Sequence, residues 1–418
     1  MDRLGVGGPG QARTKDILCR ATAGQARLMP PPTVAYYSFD ARRTSAIGGG
    51  TDIFCASLER FFDAQRGRIE LVVVPVVPNQ ATYSDRLRQL GGWLAGLVRD
   101  YATWWTVDAD VHVLVYPKLP VLAFTDKPWL LRATRFFYHA WARRVTRRGQ
   151  RIAVIVEDLP AEQGFGPSAP EKASARTPQK MLEQAVFCSS NALVVASQRF
   201  ADYILTKHPV DRGRIMVFRR NIYMPPQALA ASCPVEPVAG INVLYSGGLD
   251  ERMALTFREV LAVFARHSNA QFWICGPGQS HVTQWIDEVG AKNARHLGTL
   301  DHATHDALAQ NCDFGLLLYP RSFYNDMTPT MKYSGYAANG LAILSTDLAT
   351  VADNLREDGI GRAAPVTEVP GELERWLDQP ARFERYRASA RDLAHTFRQG
   401  VYMQEWLDQV LAAWRHDA

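Results

Sequence analysis

The sequence predicts an α/β fold with two tandem doubly wound, Rossmann-like domains that face each other across a cleft. The chain has 418 residues, which is too long for one ordinary core and suits two domains. Apolar residues make up 47% and charged residues 21%, an ordinary balance for a globular protein. From Thr33 onward, short β-branched runs alternate with amphipathic stretches, as in parallel sheets covered by helices on both faces.

The alternation predicts the elements in order. In the N-terminal half, the predicted strands are Val34–Ser38, Ile69–Val76, Val111–Tyr116, Ile152–Val156, Leu193–Ala196 and Ile215–Phe218, and the predicted helices are Asp52–Ala64, Ser84–Tyr101, Pro128–Arg148, Gln179–Phe187 and Gln198–His208. In the C-terminal half, the predicted strands are Asn242–Ser246, Gln271–Cys275, Asp313–Tyr319 and Leu341–Ser345, and the predicted helices are Glu251–Arg266, Val282–Val289, His302–Asn311, Thr330–Asn339 and Leu348–Leu355. Three more helical stretches follow without strands between them, at Glu372–Leu377, Phe383–Thr396 and Val401–His416.

These elements divide the chain into five segments. Residues 1–32 are predicted to be a disordered leader, because they lack the charged start and apolar core of a signal peptide. Residues 33–225 form the predicted N-terminal domain, and a proline-rich linker follows at 226–240. The predicted C-terminal domain spans 241–361. The helices of 362–418 are predicted to pack back on the N-terminal domain.

Charge and cysteine usage narrow the class of protein. Residues 1–225 carry 31 Lys and Arg against 19 Asp and Glu, whereas residues 226–418 carry 16 against 23. The basic half predicts an acidic partner, such as anionic lipid, a pyrophosphate-linked acceptor or nucleic acid. The apolar runs fall short of the roughly 18 to 20 residues that cross a bilayer. The cysteines stand singly, which favours reduced thiols and the cytoplasm; they are Cys19, Cys55, Cys188, Cys233, Cys275 and Cys312.

The segment 128–148 combines six arginines with five aromatic residues. Basic residues beside aromatic ones on a helix suit the interface of an anionic membrane. A core helix with a solvated, charged end explains the same composition equally well. No RNA-binding motif accompanies the basic residues, so no nucleic-acid partner is expected.

A strand that runs into a double glycine is the first candidate ligand loop. Residues 242–246 read as a strand, and Gly247 and Gly248 follow directly before a predicted helix. Glycine lets the backbone approach a phosphate, and a helix N-terminus stabilises its charge. A tight turn with no ligand is the alternative for this pair.

A lysine in the first turn of the helix predicted from Thr330 is the second candidate. Lys332 opposes the helix dipole unless an anion lies between them. A solvent-facing lysine is the alternative.

The block from Thr328 to Ile343, Thr-Pro-Thr-Met-Lys-Tyr-Ser-Gly-Tyr-Ala-Ala-Asn-Gly-Leu-Ala-Ile, resembles the donor-site segment of GT-B glycosyltransferases. It is most similar to bacterial polysaccharide-assembly transferases of the family 4 and xanthan glucuronosyltransferase kind, over residues 241–361. The resemblance implies a nucleotide-sugar donor, expected to be UDP-linked, and neither a metal nor a separate cofactor. Its site residues would be Gly247 and Gly248 at the donor phosphates, Lys332 as their counter-ion, Thr330 at the helix start, and Gly298 and Thr299 beside the nucleoside.

Carboxylates at strand ends of the N-terminal half are the candidate catalytic residues. Glu157 and Asp158 follow the strand 152–156, and an inverting transferase needs a base that takes the proton of the acceptor hydroxyl. Asp158 is the first candidate, Glu157 the second, and Asp52, after the glycines 48–50, the third. A turn-capping role for Asp158 and an N-cap role for Asp52 are the alternatives.

The sequence therefore predicts a cytoplasmic glycosyltransferase at the inner face of the membrane, with the acceptor on residues 33–225 and the donor on residues 241–361. Its acceptor would be a lipid-linked or other glycan in exopolysaccharide or cell-surface synthesis. The pattern E-x7-E of retaining family 4 enzymes is missing, because Asp326, Ser334 and Gly335 stand where glutamates are expected. A degenerate GT-B protein that binds or chaperones another transferase is therefore the alternative.

Overall fold

The structure is a computed structural model that describes residues 30–39, 50–76, 102–117, 128–163, 173–218, 220–224, 233–236, 239–249 and 251–417. Most of the predicted leader and the helix predicted at 84–101 lie outside these residues. The chain from Pro32 to Ala418 forms one compact unit.

The N-terminal domain is built on a parallel sheet of six strands in the order β2-β1-β3-β4-β5-β6. The strands are β1 Thr33–Phe39, β2 Glu70–Val76, β3 Val111–Tyr116, β4 Arg151–Val156, β5 Ala192–Val195 and β6 Ile215–Val217. The helices are α1 Gly50–Ala64, α2 Pro128–Arg147, α3 Pro160–Gln163, α4 Ala173–Ser189 and α5 Gln198–Lys207, and residues 102–106 are also helical. Every residue of β3 is buried, as expected for a strand with helices on both faces.

The C-terminal domain is built on a second parallel six-stranded sheet, in the order β12-β11-β10-β7-β8-β9. The strands are β7 Ile241–Ser246, β8 Ala270–Cys275, β9 Ala294–His296, β10 Phe314–Leu317, β11 Ala342–Thr346 and β12 Gly361–Ala364. The helices are α6 Ala254–Arg266, α7 Gln279–Val289, α8 His302–Ala309, α9 Phe323–Met327, α10 Met331–Ala338, α11 Ala349–Asp358, α12 Val369–Asp378, α13 Ala381–Arg398 and α14 Val401–Asp417. The predicted fold class is confirmed.

The strand order of the C-terminal sheet reverses between β7 and β10, where both strands end beside each other. From β7 the chain continues to β8 and β9 on one side of the sheet, whereas from β10 it continues to β11 and β12 on the other side. The loops after β7 and β10 therefore run in opposite directions. Such a reversal opens a crevice at the carboxyl ends of the strands, where ligands bind in open α/β sheets.

The last described helix crosses back to the N-terminal domain. In α14, Met403, Trp406 and Leu407 are buried in the same apolar cluster as Phe62 of α1. The rings of Trp406 and Phe62 lie 6.4 Å apart, edge to face. The core of the N-terminal domain therefore includes residues from the far end of the chain.

Helix α2 has one buried face and one exposed face. Its buried face includes Leu131, Tyr138 and Trp141, as in a core helix. Trp129 and Phe136, however, are 63% and 70% exposed. The core-helix interpretation therefore holds for the buried face, and membrane contact of the exposed face stays a prediction. No described helix is both long and apolar enough to span a membrane.

Candidate active site in the interdomain cleft

A pocket of about 400 Å³ lies in the cleft and is lined by both domains. Glu157 and Asp158 contribute from the carboxyl end of β4. The C-terminal domain contributes the loops after β7, β8 and β10 and the start of α10. The two sheets thus present their ligand-binding edges to one cavity.

Two glycine loops line the pocket on the side of the C-terminal domain. Gly247 has φ +115° and Gly276 has φ +145°, and L side chains rarely adopt either conformation. A Cβ at Gly276 would lie 2.4 Å from the carbonyl oxygen of Gly247, so the two loops pack backbone against backbone. The Gly247 N–H donates to Cys275 O at 2.7 Å, which joins the ends of β7 and β8. Glycine is therefore required here by close packing as well as by the turn.

Lys332 reaches the same loop from the first turn of α10. A Cβ at Gly247 would lie 2.7 Å from Lys332 Nζ, so the ammonium group stands directly over this glycine. Lys332 Nζ also lies 4.3 Å from the ring centre of Tyr319 and 4.8 Å from that of Tyr245, at cation–π distance. These contacts contradict the alternative of a solvent-facing lysine.

Lys332 remains charged in this position. Burial opposes its charge, but Tyr245, Tyr319 and Tyr336 outweigh burial and raise the pKa of Lys332 above the ordinary lysine value. Among the described residues, no carboxylate lies within ion-pair distance of Lys332. Its positive charge therefore has no anionic partner in the described part of the chain, and an anionic ligand in the pocket would pair with it. The pocket thus offers a cation above a glycine loop, an arrangement suited to a phosphate group.

Asp158 lies on the opposite wall and is in contact with the C-terminal domain. The Tyr324 hydroxyl, carried by α9, donates a hydrogen bond to Asp158 Oδ1. Asp158 and Glu157 are partly buried and line the same pocket as Lys332. The turn after β4 thus places a carboxylate in the cleft.

A buried network at the wall of the pocket, which Tyr223 and His302 line, was not predicted from the sequence. Asp306 accepts hydrogen bonds from the hydroxyl of Tyr223 and from Asn339 Nδ2, the latter at 3.0 Å. His302 Nε2 lies 2.9 Å from the Tyr223 hydroxyl. Burial lowers the pKa of His302 to about 4, so this imidazole is neutral at neutral pH. His302 is only 7% exposed, because Tyr223 of the segment 220–224 packs against its ring.

His305 approaches the end of β7. Its Nε2 atom lies 2.6 Å from Ser246 Oγ, and both residues line the pocket. This contact fixes Ser246, the last residue of β7, directly before the glycine loop. The described residues contain no group of three or more His, Cys, Asp or Glu arranged to hold a metal ion.

The other sequence candidates divide into three groups. Thr299 lines the pocket, and so does Thr330, whose side chain caps α10 by accepting from the Tyr333 N–H. Gly298 does not line it but supports it, because its carbonyl accepts the Gly276 N–H at 2.9 Å. The side chain of Asp52 lies outside the described residues, although its backbone belongs to α1.

Two facing Rossmann-like domains with a ligand pocket between them define the GT-B fold. Residues 253–412 match the protein-family model described as "Glycosyl transferase-like". No curated protein sequence matches the chain.

Solved structures share the architecture at low identity. Sucrose-phosphate synthase from Thermosynechococcus elongatus is 15% identical with a TM-score of 0.60, covering 91% of this chain and all of that one. A Listeria monocytogenes structure described as a UDP-N-acetylglucosamine 2-epimerase is 9% identical with a TM-score of 0.57, covering 93% and 98%. An E. coli structure described as trehalose-6-phosphate bound with UDP-2-fluoro glucose is 12% identical with a TM-score of 0.54, covering 90% and 98%. At these identities the likeness establishes the fold.

Proposed function

We propose that this protein is a glycosyltransferase that moves a sugar from a UDP-linked donor to a lipid-linked or other glycan acceptor. The observation that carries the proposal is Lys332, a partly buried cation over Gly247 without an acidic partner among the described residues. The family match over residues 253–412 supports transfer chemistry for the same domain. The UDP-2-fluoro glucose of the E. coli structure makes UDP the first nucleotide to test.

The chemistry follows from the two walls of the pocket. The donor diphosphate lies at Gly247 and Gly248, with Lys332 as its counter-ion, and the nucleoside lies toward Thr299. The acceptor hydroxyl attacks the anomeric carbon while the bond from that carbon to the diphosphate oxygen breaks. Asp158 takes the proton of the hydroxyl, and Lys332 stabilises the negative charge on the leaving UDP. Transfer by this direct displacement inverts the anomeric centre.

The alternative is a degenerate GT-B protein that binds a partner transferase without turnover. The observation that favours it is the absence of the two glutamates expected around Asp326 and Ser334. In the structure, Asp326 accepts the Ala349 N–H at 3.0 Å, and Ser334 is fully buried in α10. Both positions thus have structural roles, and Asp158 is the carboxylate that the inverting reaction would use.

A turnover experiment separates the two functions. UDP release is measured with UDP-glucose, UDP-glucuronic acid and UDP-N-acetylglucosamine, and UDP affinity is measured by calorimetry. A positioned base contributes about 10² to 10⁴-fold, so Asp158→Asn should lower turnover by that factor and leave UDP affinity unchanged. The matched control is Asp108→Asn, an exposed aspartate outside the pocket.

Each outcome has a clear meaning. No UDP release from any donor, together with no UDP binding, rejects the glycosyltransferase and leaves the partner-binding function. Turnover that survives in Asp158→Asn keeps the enzyme but moves the base to Glu157 or Asp52.

We also propose that the exposed face of α2 contacts anionic membrane at the inner leaflet. Trp129 and Phe136 point away from the core, and Arg132, Arg143 and Arg147 are exposed along the same helix. Aromatic residues at the headgroup level and arginines beside anionic lipid each favour such binding. A membrane-bound enzyme would meet a lipid-linked acceptor at the surface where that acceptor is held.

A further inference from the structure

Helix α9 belongs to the C-terminal domain but is seated on the N-terminal one. Met327 is only 4% exposed and packs in the main apolar cluster of the N-terminal domain. Ser197 Oγ, at the start of α5, donates to the Met327 carbonyl at 2.6 Å. The ring of Phe323 lies 5.4 Å from the ring of Tyr203, edge to face. This short helix therefore bridges the cleft.

The same helix is fixed to its own domain. Asp326 Oδ1 accepts the Ala349 N–H at 3.0 Å, and the Thr350 hydroxyl donates to the Asp326 carbonyl at 2.8 Å. Asn325 Nδ2 donates to the Pro320 carbonyl at 2.8 Å. With contacts to both domains, α9 holds its side chains at a defined position relative to β4.

Tyr324 is the side chain that α9 directs at the pocket. Its hydroxyl donates to Asp158 Oδ1, and its ring packs against the apolar cluster of the N-terminal domain. Burial, with the charge of Asp158 beside it, raises the pKa of Tyr324 well above the ordinary value. The hydroxyl therefore stays protonated and remains a donor. Glu157, which also faces Tyr324, acts on the hydroxyl in the same direction.

We propose that Tyr324 is a positioning residue that orients Asp158 as the base, so that the base is complete only when the two domains are closed on each other. This inference rests on the proposed function. A carboxylate has two oxygens, so it can accept a hydrogen bond on one and a proton on the other. The hydrogen bond restricts rotation of the carboxylate and favours its charged form. Because Tyr324 comes from the opposite domain, separating the domains would remove this restraint.

A double-mutant cycle tests the inference. UDP release from the most active of the three UDP-sugars is measured for wild type, Tyr324→Phe, Asp158→Asn and the double variant. Misplacing a reacting group by about 1 Å costs on the order of 10²-fold, so Tyr324→Phe should lower kcat by about 10- to 100-fold without weakening UDP binding. Because Tyr324 acts through Asp158, adding Tyr324→Phe to Asp158→Asn should cause no further loss.

The control removes a comparable hydroxyl at the same interface. Tyr203→Phe deletes a hydroxyl that donates to Glu162 and keeps the ring, which packs on Phe323 of α9 outside the pocket. This variant should leave kcat unchanged. The melting temperatures of Tyr203→Phe and Tyr324→Phe should be similar to each other.

Three results would overturn the inference. The first is a wild-type kcat in Tyr324→Phe, and the second is that Tyr324→Phe lowers kcat by the same factor whether residue 158 is Asp or Asn. The third is that Tyr203→Phe lowers kcat as much as Tyr324→Phe does, which would mean that a loosened interface is the cause. The failure of the proposed base is distinguishable from these, because it appears in Asp158→Asn alone as undiminished turnover.

Discussion

Removing the charge of Lys332 is the sharpest test of the donor site. Lys332→Met keeps most of the aliphatic stem and deletes the ammonium group, which lies over the rings of Tyr245 and Tyr319. A charge-assisted hydrogen bond contributes about 1.5 to 3 kcal/mol, which corresponds to roughly 10- to 150-fold in affinity. The enclosure of Nζ by two aromatic rings places the expected loss toward the upper part of this range.

The assay compares two ligands that differ only in phosphate. Calorimetry measures the dissociation constants of UDP and of uridine for wild type and Lys332→Met. The variant should lose UDP affinity and keep its affinity for uridine, because the lysine is expected to contact only the diphosphate. Lys292→Met, which changes an exposed lysine of the same domain, is the matched control and should bind both ligands like wild type.

Two results would refute this reasoning. An unchanged UDP dissociation constant in a folded Lys332→Met protein would remove Lys332 from the donor site. An equal loss of UDP and uridine would mean that the lysine maintains the shape of the pocket and does not bind phosphate.

Three further predictions concern the glycine loop, the membrane surface and pH. Gly247→Ala should weaken UDP binding at least as much as Lys332→Met, because the new methyl group would lie 2.5 Å from Lys332 Cε; wild-type UDP affinity would contradict this. Replacing Trp129 and Phe136 together by serine should abolish co-sedimentation with phosphatidylglycerol vesicles, whereas serine at the 77% exposed Leu255 should not; vesicle binding that survives rejects the α2 surface. Burial lowers the pKa of His112 to about 4, below the ordinary 6.5, so between these pH values the unfolded chain binds a proton at this histidine and the folded chain does not. The free energy of unfolding should therefore fall by up to about 1.4 kcal/mol per pH unit as the pH drops from 6.5 to 4. Urea unfolding of His112→Gln should show a smaller decrease of this free energy over the same pH range.

The central strands could be predicted from the sequence because burial on both faces leaves a continuous apolar run. Val111–Tyr116 was predicted with its observed bounds for this reason. The edge strands Ala294–His296 and Gly361–Ala364 were missed, since they are short and carry Arg295 and Arg362. An edge strand needs apolar residues on fewer positions, and hydrogen bonds to its neighbour define it more than its composition does.

The candidate site was predictable where one segment carries the signal. Gly247 could be predicted from a glycine pair directly after a strand, and Lys332 from a cation in the first turn of a helix. The contact of Tyr324 with Asp158 joins residues 166 positions apart and leaves no local trace. No helix was predicted between the strand ending at Tyr319 and the helix starting at Thr330, but residues 323–327 form helix α9, which Ser322 caps by accepting the Asn325 N–H at 3.1 Å.

The position of α14 makes the order of synthesis matter for folding. A ribosome delivers the whole sheet of the N-terminal domain long before Met403 and Trp406, the residues that complete the apolar cluster around α1. Until then, Phe62 and its neighbours in that cluster lack their cover, and the nascent domain exposes a surface that chaperones bind. The N-terminal domain therefore completes its apolar cluster only after α14 has been synthesised.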